Sequence, residues 1–538
     1  MEKRTLLAVL LILVVFWISS EFIWKNKKTQ IPAEQKQEIE KTEKIEKIKE
    51  SINNELSNDS YEQNVIEPEN NIEIINNIVL ENEYIKLTFS NLGAVINSIQ
   101  LKNYFLKDKI APVELIPENE FILNTELVMN SGSIANLSNT GFQYSVLEDS
   151  KKIIFISQTE RGMVEKIFEL TDNYGVNFNL KITGYDELSG YNLNIDSGIA
   201  DTEEYLKMKS REYKVVGLVD NIITKYSLSK LKENREATGI IGWTAVKSKY
   251  FVMAIMPDEL VNINKLLAFK NNDSPAEKLS IVLNRANIEH NYAMYFGPLD
   301  YENLKTYGNG IENVVDMGPK FLQWISKIFV AFLKFLNSFI PSWGFCIIIF
   351  SVILKIILYP LTHKSFESST KMQKINPLMK EIQQKYKSEP QKMNAELKKL
   401  YKEHGVNPLG GCLPMLLQMP ILFALYPILR YSIDLRQTSF FWLPDLSEPD
   451  PIWLLPILMA VFMFVQQKLM SPSKQSLEEM DEKQKAAQQS QKMMMYFMPI
   501  MMFFIFKSLS SGLVLYWTMF SIIGSIQQYI IKKKFNKE

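Results

Sequence analysis

The stretch WGFCIIIFSVILKIILYPLT, residues 343–362, is an apolar run of ~20 residues, the length that crosses a bilayer as a helix. Further apolar stretches follow at residues 409–432, 452–470 and 493–531. The segment KSLSSG at 507–512 interrupts the last stretch, so that stretch predicts two spans. The pattern predicts a polytopic α-helical membrane protein whose five-span core occupies residues 341–531.

The N-terminus carries another apolar run, TLLAVLLILVVFWISSEFIW at 5–24, with a lysine and an arginine before it. Bulky Phe22 and Trp24 stand where a signal peptide has small residues, which favours an uncleaved transmembrane anchor over residues 1–24. A cleaved signal peptide is the alternative. In both cases the preceding positive charge keeps the N-terminus in the cytoplasm and directs the export of the chain after residue 24.

The exported part begins with a charged segment, residues 25–71, which is too poor in apolar side chains to fold and predicts a flexible tether. Residues 72–310 then change to short β-rich runs such as YIKLTFSN at 84–91, in which apolar and polar residues alternate. TDNYG at 171–175 is typical of a hairpin connection. We therefore expect a large exported all-β domain, a sandwich, that is separable and contributes little to the main activity. It shows no catalytic motif.

The segment 319–340 predicts an amphipathic helix rather than a span. Lys320, Lys327 and Lys334 recur every seven residues, so one side of the helix is polar and the rest is apolar. Such a helix can lie along the membrane surface as an interfacial helix. Packing of the same helix on the membrane bundle is the alternative.

The lysine distribution predicts the topology. The loop 363–408 is rich in lysine, and the tail 532–538 is basic, whereas the loop 433–451 carries mostly acidic residues. By the positive-inside rule, loop 363–408 and both termini lie in the cytoplasm, and residues 25–340 lie in the periplasm of a bacterial inner membrane. Helically spaced apolar residues predict that loop 363–408 is a helical hairpin.

Local signals refine that hairpin. Ser388 is a candidate N-cap for its second helix, Pro390 suits the first turn, and Gly405 can end the helix. The apolar stripes that include Ile375, Leu378 and Leu400 predict the contact between the two helices.

Composition excludes several functions. The 538 residues carry 60 Lys plus Arg and 60 Asp plus Glu, so a protein built to neutralise nucleic acid over its whole surface is excluded. Two cysteines and three scattered histidines exclude a disulfide framework and a thiolate zinc cluster, and they predict no metal site. We expect neither a cofactor nor an enzyme activity.

Lys355 is the one charge placed well inside a core span. It follows Trp343 by twelve residues, about 18 Å along a helix, and the spans contain no acidic residue at comparable depth. A charge near the bilayer centre costs ~2.5–3.5 kcal/mol on insertion scales. Either Lys355 extends to the cytoplasmic headgroups, or it lies in a solvated cationic groove among the spans.

Ordered segments carry a resemblance to a known family. They are WGFCIIIFSVILKIILYPLT (343–362), NPLGGCLPMLLQMPILFALY (407–426), DPIWLLPILMAVFMFVQQKLMSP (450–472) and SGLVLYW (511–517). Residues 319–534 closely resemble YidC-type membrane protein insertases, and the β domain more weakly resembles that family's exported β-supersandwich. In that family a hydrophilic groove, open to cytoplasm and lipid, contains an arginine where this chain has Lys355.

The resemblance implies an insertase and chaperone for nascent membrane proteins. The matching groove residues are Ser351, Lys355, Gln418, Tyr516 and Trp517. It also implies that the hairpin and the basic tail meet ribosomes or targeting factors; membrane lipids and the Sec translocon are further candidate partners. A secondary transporter of a small solute is the alternative, but the sequence has no inverted repeat and no buried acidic ion site.

Overall fold

The computed structural model describes residues 73–147, 151–259, 261–283, 287–406, 413–470 and 496–535, all of which belong to one compact unit, Val65–Glu538. The predicted anchor (1–24) and tether (25–71) lie outside the described residues. So do the glycine-containing residues 407–412 and the last residues of the predicted tail, 536–538.

The N-terminal part of the described chain is an all-β domain, as the alternating pattern predicts. Its strands are β1 Ile78–Glu81, β2 Ile85–Ser90, β3 Val95–Phe105, β4 Pro112–Glu114, β5 Asn124–Met129, β6 Ile134–Asn136, β7 Gln143–Leu147, β8 Lys152–Thr159, β9 Gly162–Leu170, β10 Gly175–Thr183, β11 Leu188–Ile195, β12 Lys214–Val219, β13 Ile222–Ser227, β14 Arg235–Thr238, β15 Ile241–Lys247, β16 Phe251–Pro257, β17 Ile263–Asn271, β18 Ser274–Val282 and β19 Ile288–Pro298.

These strands form three antiparallel sheets. The largest has the order β13-β12-β15-β16-β19-β10-β9-β8-β7; a six-stranded sheet runs β14-β17-β18-β11-β5-β6, and a four-stranded sheet runs β1-β2-β3-β4. One core contains inward side chains from all three, among them Phe89, Phe168 and Trp243. TDNYG forms the turn between β9 and β10, where the amide of Thr171 donates to the carbonyl of Gly175 at 3.0 Å.

A carboxyl group is buried inside this domain. Glu277 on β18 is fully buried, and one of its carboxylate oxygens accepts a hydrogen bond of 2.9 Å from the hydroxyl of Thr244 on β15. Its other carboxylate oxygen has no partner among the described residues. Burial disfavours the ionised form and raises the pKa of Glu277 to about 8.

Helices make up most of the remaining described chain. They are α1 Lys209–Glu212, α2 Tyr301–Lys305, α3 Gln323–Phe339, α4 Trp343–Ile357, α5 Tyr359–Lys385, α6 Pro390–Glu403, α7 Leu413–Tyr431, α8 Leu454–Met470, α9 Tyr496–Phe506 and α10 Ser511–Phe535. Helices α3, α4, α7, α8, α9 and α10 share a second apolar core, which includes Leu333, Phe350, Leu425, Met459 and Phe506. We call these six helices the helical core.

The lengths of these helices bear on the predicted spans. Among the described helices, Ser511–Lys533 of α10 is by itself long and apolar enough to cross a membrane. Trp343–Ile357 and Tyr359–Ser365 meet the same requirement together, across a bend of 55°. Leu454–Leu469 and α9 are apolar but shorter. The count of five core spans therefore stays a prediction.

Helices α8 and α10 run parallel and are joined by a repeated hydrogen bond. Every seventh residue of α10 donates a side-chain hydrogen bond to a backbone carbonyl. The acceptor carbonyls are also seven residues apart and lie on α8 or, in one case, just before it. The pairs are Ser511 to Glu448 (2.6 Å), Thr518 to Leu455 (3.2 Å), Ser525 to Phe462 (3.1 Å) and Lys532 to Leu469 (3.1 Å). Because the sequence offset is constant, the two helices keep one register along their whole contact.

Helices α5 and α6 form the predicted hairpin, with Ile375 and Leu400 buried between them. Two details were wrong: the residue before the first turn of α6 is Glu389 rather than Ser388, and Leu378 is exposed. Gly405 follows the helix with a φ of 61°, as its predicted role requires.

Candidate functional site

The predicted groove residues lie mainly where α4 packs on α10. Ser351 and Lys355 are one turn apart on α4, and both are buried. Tyr516 lies on α10, where its ring is 6.2 Å from that of Phe350 on α4. The fold thus brings Ser351, Lys355 and Tyr516 to one contact between two helices.

Lys355 extends into the helical core rather than along its surface. Its side chain is only 4% exposed, and its ammonium lies 3.6 Å from the centroid of the Phe520 ring. Gly524 on α10 lies beside both the ammonium and the side-chain amide of Gln466 on α8. We call Gln466, Phe520 and Gly524 the Lys355 seat. In the described ranges no carboxylate forms an ion pair with this lysine.

The buried position of Lys355 has an electrostatic consequence. A cation over an aromatic face is attracted by the ring quadrupole, by about 2 kcal/mol or more when it is desolvated. This attraction offsets part of the burial cost, but the positive charge has no counter-ion among the residues that the structure describes. A lysine that extended to the headgroups would expose its terminal carbons and nitrogen, which the structure does not show.

The other predicted residues differ in their surroundings. The Ser351 hydroxyl donates to the Ile347 carbonyl of its own helix at 2.7 Å. The Tyr516 hydroxyl is buried and has no hydrogen-bond partner among the described residues. Trp517 is half-buried and turns to the other side of α10, where its ring packs 5.3 Å from Phe506 on α9. Gln418 is half-buried on α7.

The sequence interpretation missed the residues of the Lys355 seat. Phe520 and Gly524 follow Tyr516 at intervals of four, so helical spacing alone placed them on the same face of α10. Gln466 lies on α8, and no local pattern connects it with Lys355. Only the packing of α4, α8 and α10 brings Lys355 and Gln466 to the same glycine.

The β domain is attached to the helical core by buried ion pairs. Arg430, near the end of α7, pairs with Glu212 of α1 at 2.7 Å, and both side chains are 5% exposed. Arg436, in the loop after α7, pairs with Glu203 at 2.7 Å. A separable β domain was predicted from the flexible tether alone. These ion pairs form a second connection, between the β domain and the helical core.

Helix α3 lies between the β domain and the other helices of the helical core. The Lys334 ammonium pairs with Asp300 at 3.1 Å, and the Lys327 ammonium lies 4.9 Å from the centroid of the Tyr301 ring. These two lysines of α3 therefore face the end of the β domain. Ser326 donates to the carbonyl of Ala424 on α7 at 3.2 Å. The helix therefore packs on the bundle, while apolar side chains, among them Trp324, Phe335 and Phe339, stay exposed.

The described residues contain no group of three or more histidine, cysteine, aspartate or glutamate side chains placed to hold a metal ion.

The matches to known families define a bacterial inner-membrane protein with a large periplasmic β domain. The family model described as "YidC periplasmic domain" matches residues 77–332, and that described as "60Kd inner membrane protein" matches residues 335–538. The membrane protein insertase YidC of Chlorobium limicola is 33% identical over 494 residues, which is 84% of this chain and 82% of the relative. That of Endomicrobium trichonymphae is 34% identical and covers 74% and 77% of the two chains. The chain belongs to the YidC family of membrane protein insertases.

Solved structures give weaker matches. A crystal structure of an active YidC insertase is 18% identical, has a TM-score of 0.35, and covers 86% of this chain and 94% of the other. A putative aldose 1-epimerase from Escherichia coli K12 is 9% identical, has a TM-score of 0.29, and covers 42% and 99%. TM-scores this low support no argument about activity. The relatives are named as insertases and not as enzymes or transporters, so the alternative of a solute transporter finds no support.

Proposed function

We propose that this chain is a membrane protein insertase that moves a short polar segment across the inner membrane while the adjoining apolar segment enters lipid. The observation that carries this mechanism is Lys355, a cation buried in the helical core without a carboxylate partner among the described residues. An unpaired charge inside a membrane has a free-energy cost, so its presence there points to a function. Its field attracts the acidic side chains of an incoming segment.

The groove lowers the barrier by solvation. A polar segment that crosses a bilayer alone loses its hydrogen bonds to water, and each buried polar group then adds to the free-energy cost. Ser351, Lys355 and Tyr516 are buried in the structure, so α4 and α10 must separate to admit water and the incoming segment. These side chains, with Gln418 and Trp517 at the edges, then replace part of that hydration. Lysine keeps the positive charge but lacks the planar fork of arginine, so the mechanism relies on attraction rather than on bidentate binding.

The topology and partners follow from the charges. In this proposal residues 25–340 are periplasmic, and the hairpin 363–408, the tail 532–538 and both termini are cytoplasmic. Exposed lysines such as Lys371 and Lys392 let the hairpin meet ribosomes or targeting factors. The exposed apolar side of α3 fits the lipid interface. Nascent membrane proteins are the substrates, and the Sec translocon is a further candidate partner.

The test compares two substrates that differ only in the translocated segment, which either contains or lacks acidic residues. Lys355→Ala protein, reconstituted at the same amount as wild type, should insert the acidic substrate several-fold more slowly and the neutral one nearly normally. Lys355→Arg should retain activity on both, because it keeps the charge. Equal, wild-type insertion of both substrates by Lys355→Ala would discard the cationic groove.

A further inference from the structure

We propose that Gly524 is a positioning residue for Lys355: the missing side chain at position 524 provides the space in which the ammonium lies against Phe520. This inference rests on the proposed function, because it concerns the location of the charge that the insertase mechanism uses. It assigns a role to a residue of α10 that carries no functional group of its own.

A side chain at this position would crowd the ends of two neighbouring side chains. A β-carbon built on Gly524 would lie 3.1 Å from the Lys355 ammonium nitrogen and 2.9 Å from the amide nitrogen of Gln466. Both distances are shorter than an ordinary van der Waals contact of about 3.5–4.0 Å. The φ of Gly524 is not in the left-handed region, so the backbone itself does not require glycine there.

The side chains of the seat, rather than the helices, should yield to an added methyl group. Ser525, the next residue, donates to the carbonyl of Phe462 and fixes α10 against α8 at this level. Thr518 and Lys532 repeat this bond one heptad before and after. The groups closest to the new β-carbon are the far ends of two long side chains, which move by rotating single bonds.

A displaced ammonium changes the groove in a defined way. It moves away from the Phe520 ring, whose centroid lies 3.6 Å from the ammonium, and this movement weakens the cation–π contact. An alanine at 524 moves the charge while leaving its sign and its residue type unchanged. Position 524 therefore sets how deeply the positive charge lies in the helical core.

The first experiment measures the position of Lys355 without measuring insertion. Native membranes that contain the full chain are treated with a small water-soluble acetylating reagent, and the acetylation rate of each lysine is determined by mass spectrometry. The exposed Lys392 provides the internal standard, since its side chain is 57% exposed. In wild type Lys355 should react slowly because it is buried. In Gly524→Ala it should react several-fold faster.

Gly512→Ala is the matched control. It adds the same methyl group to the same helix, where it meets Leu446, Leu435 and Ile347 but not Lys355. This variant should leave the acetylation rate of Lys355 unchanged. An unchanged rate in Gly524→Ala, or an equal increase in both variants, would overturn the inference.

The second experiment is a double-mutant cycle on insertion of the acidic substrate. Gly524→Ala should reduce insertion several-fold in the wild-type background and have no further effect in the Lys355→Ala background. A full additional loss in the second background would show that Gly524 acts only through packing and would overturn the positioning role. If Lys355→Ala inserts normally, the groove mechanism fails, and the acetylation rates still decide whether Gly524 positions the lysine.

Discussion

The buried pair between Arg430 and Glu212 predicts that the β domain stabilises the helical core. The substitution Glu212→Gln removes the negative charge and keeps the size of the side chain. Because both partners are 5% exposed, the Arg430 guanidinium would then be buried without compensation. Removing one partner of a buried ion pair lowers the free energy of unfolding by about 3–5 kcal/mol. The arginine donates through two nitrogens, at 2.7 and 3.0 Å, so two charge-assisted hydrogen bonds are weakened together.

Native-state hydrogen exchange on the full chain in detergent measures this cost. The amides at the end of α7 and in α1 should show a local opening free energy lower by about 3 kcal/mol in Glu212→Gln, whereas amides of the α5–α6 hairpin should be unaffected. The control is Glu236→Gln, which breaks an ion pair with Lys265 whose side chains are 53% and 38% exposed. An exposed pair of this kind contributes about 0–1 kcal/mol.

A double substitution separates charge from packing. Glu212→Gln combined with Arg430→Gln removes both charges, so most of the lost protection should return, since neutral replacements of a buried pair are often tolerated. A single variant that loses less than about 1 kcal/mol, or a double variant as unprotected as the single one, would refute the reasoning.

Two further predictions concern the β domain and the topology. Since burial raises the pKa of Glu277 from 4.5 to about 8, its contribution to stability is present in full below the unfolded pKa and is lost as the pH rises through about 8. Glu277→Gln should therefore stabilise the amides of β18 against exchange by about 3 kcal/mol at pH 7 and by almost nothing below pH ~4.5. The control Glu160→Gln, at an exposed turn, should leave the exchange of the β18 amides unchanged. In the proposed topology, a cysteine in place of Lys392 should be labelled by a membrane-impermeant thiol reagent only from the cytoplasmic side of inner-membrane vesicles. Labelling from the periplasmic side would reverse the assignment of the hairpin.

The sequence by itself determined the elements with a strong period or composition. Apolar runs placed α4, α8 and α10, and alternation placed the β domain, because these patterns reflect the local geometry of helices and strands, with periods of about 3.6 and 2 residues. The apolar spacing in α5 and α6 predicted a helical hairpin. Long ordered segments that include SGLVLYW indicated the family, and the groove residues stay a prediction from that resemblance.

The tertiary structure decided which side chains meet. No local pattern indicates that Arg430 forms an ion pair with Glu212, because the two residues are 218 positions apart in the sequence. The same holds for the Lys355 seat, where α4, α8 and α10 each contribute, and for the lysines of α3, which face Asp300 and Tyr301 rather than water alone. Such contacts depend on how whole helices and sheets pack, and packing is a property of distant segments together. For this reason the sequence predicted the charge at position 355, while only the packed helices showed that it lies against Phe520 and beside a glycine.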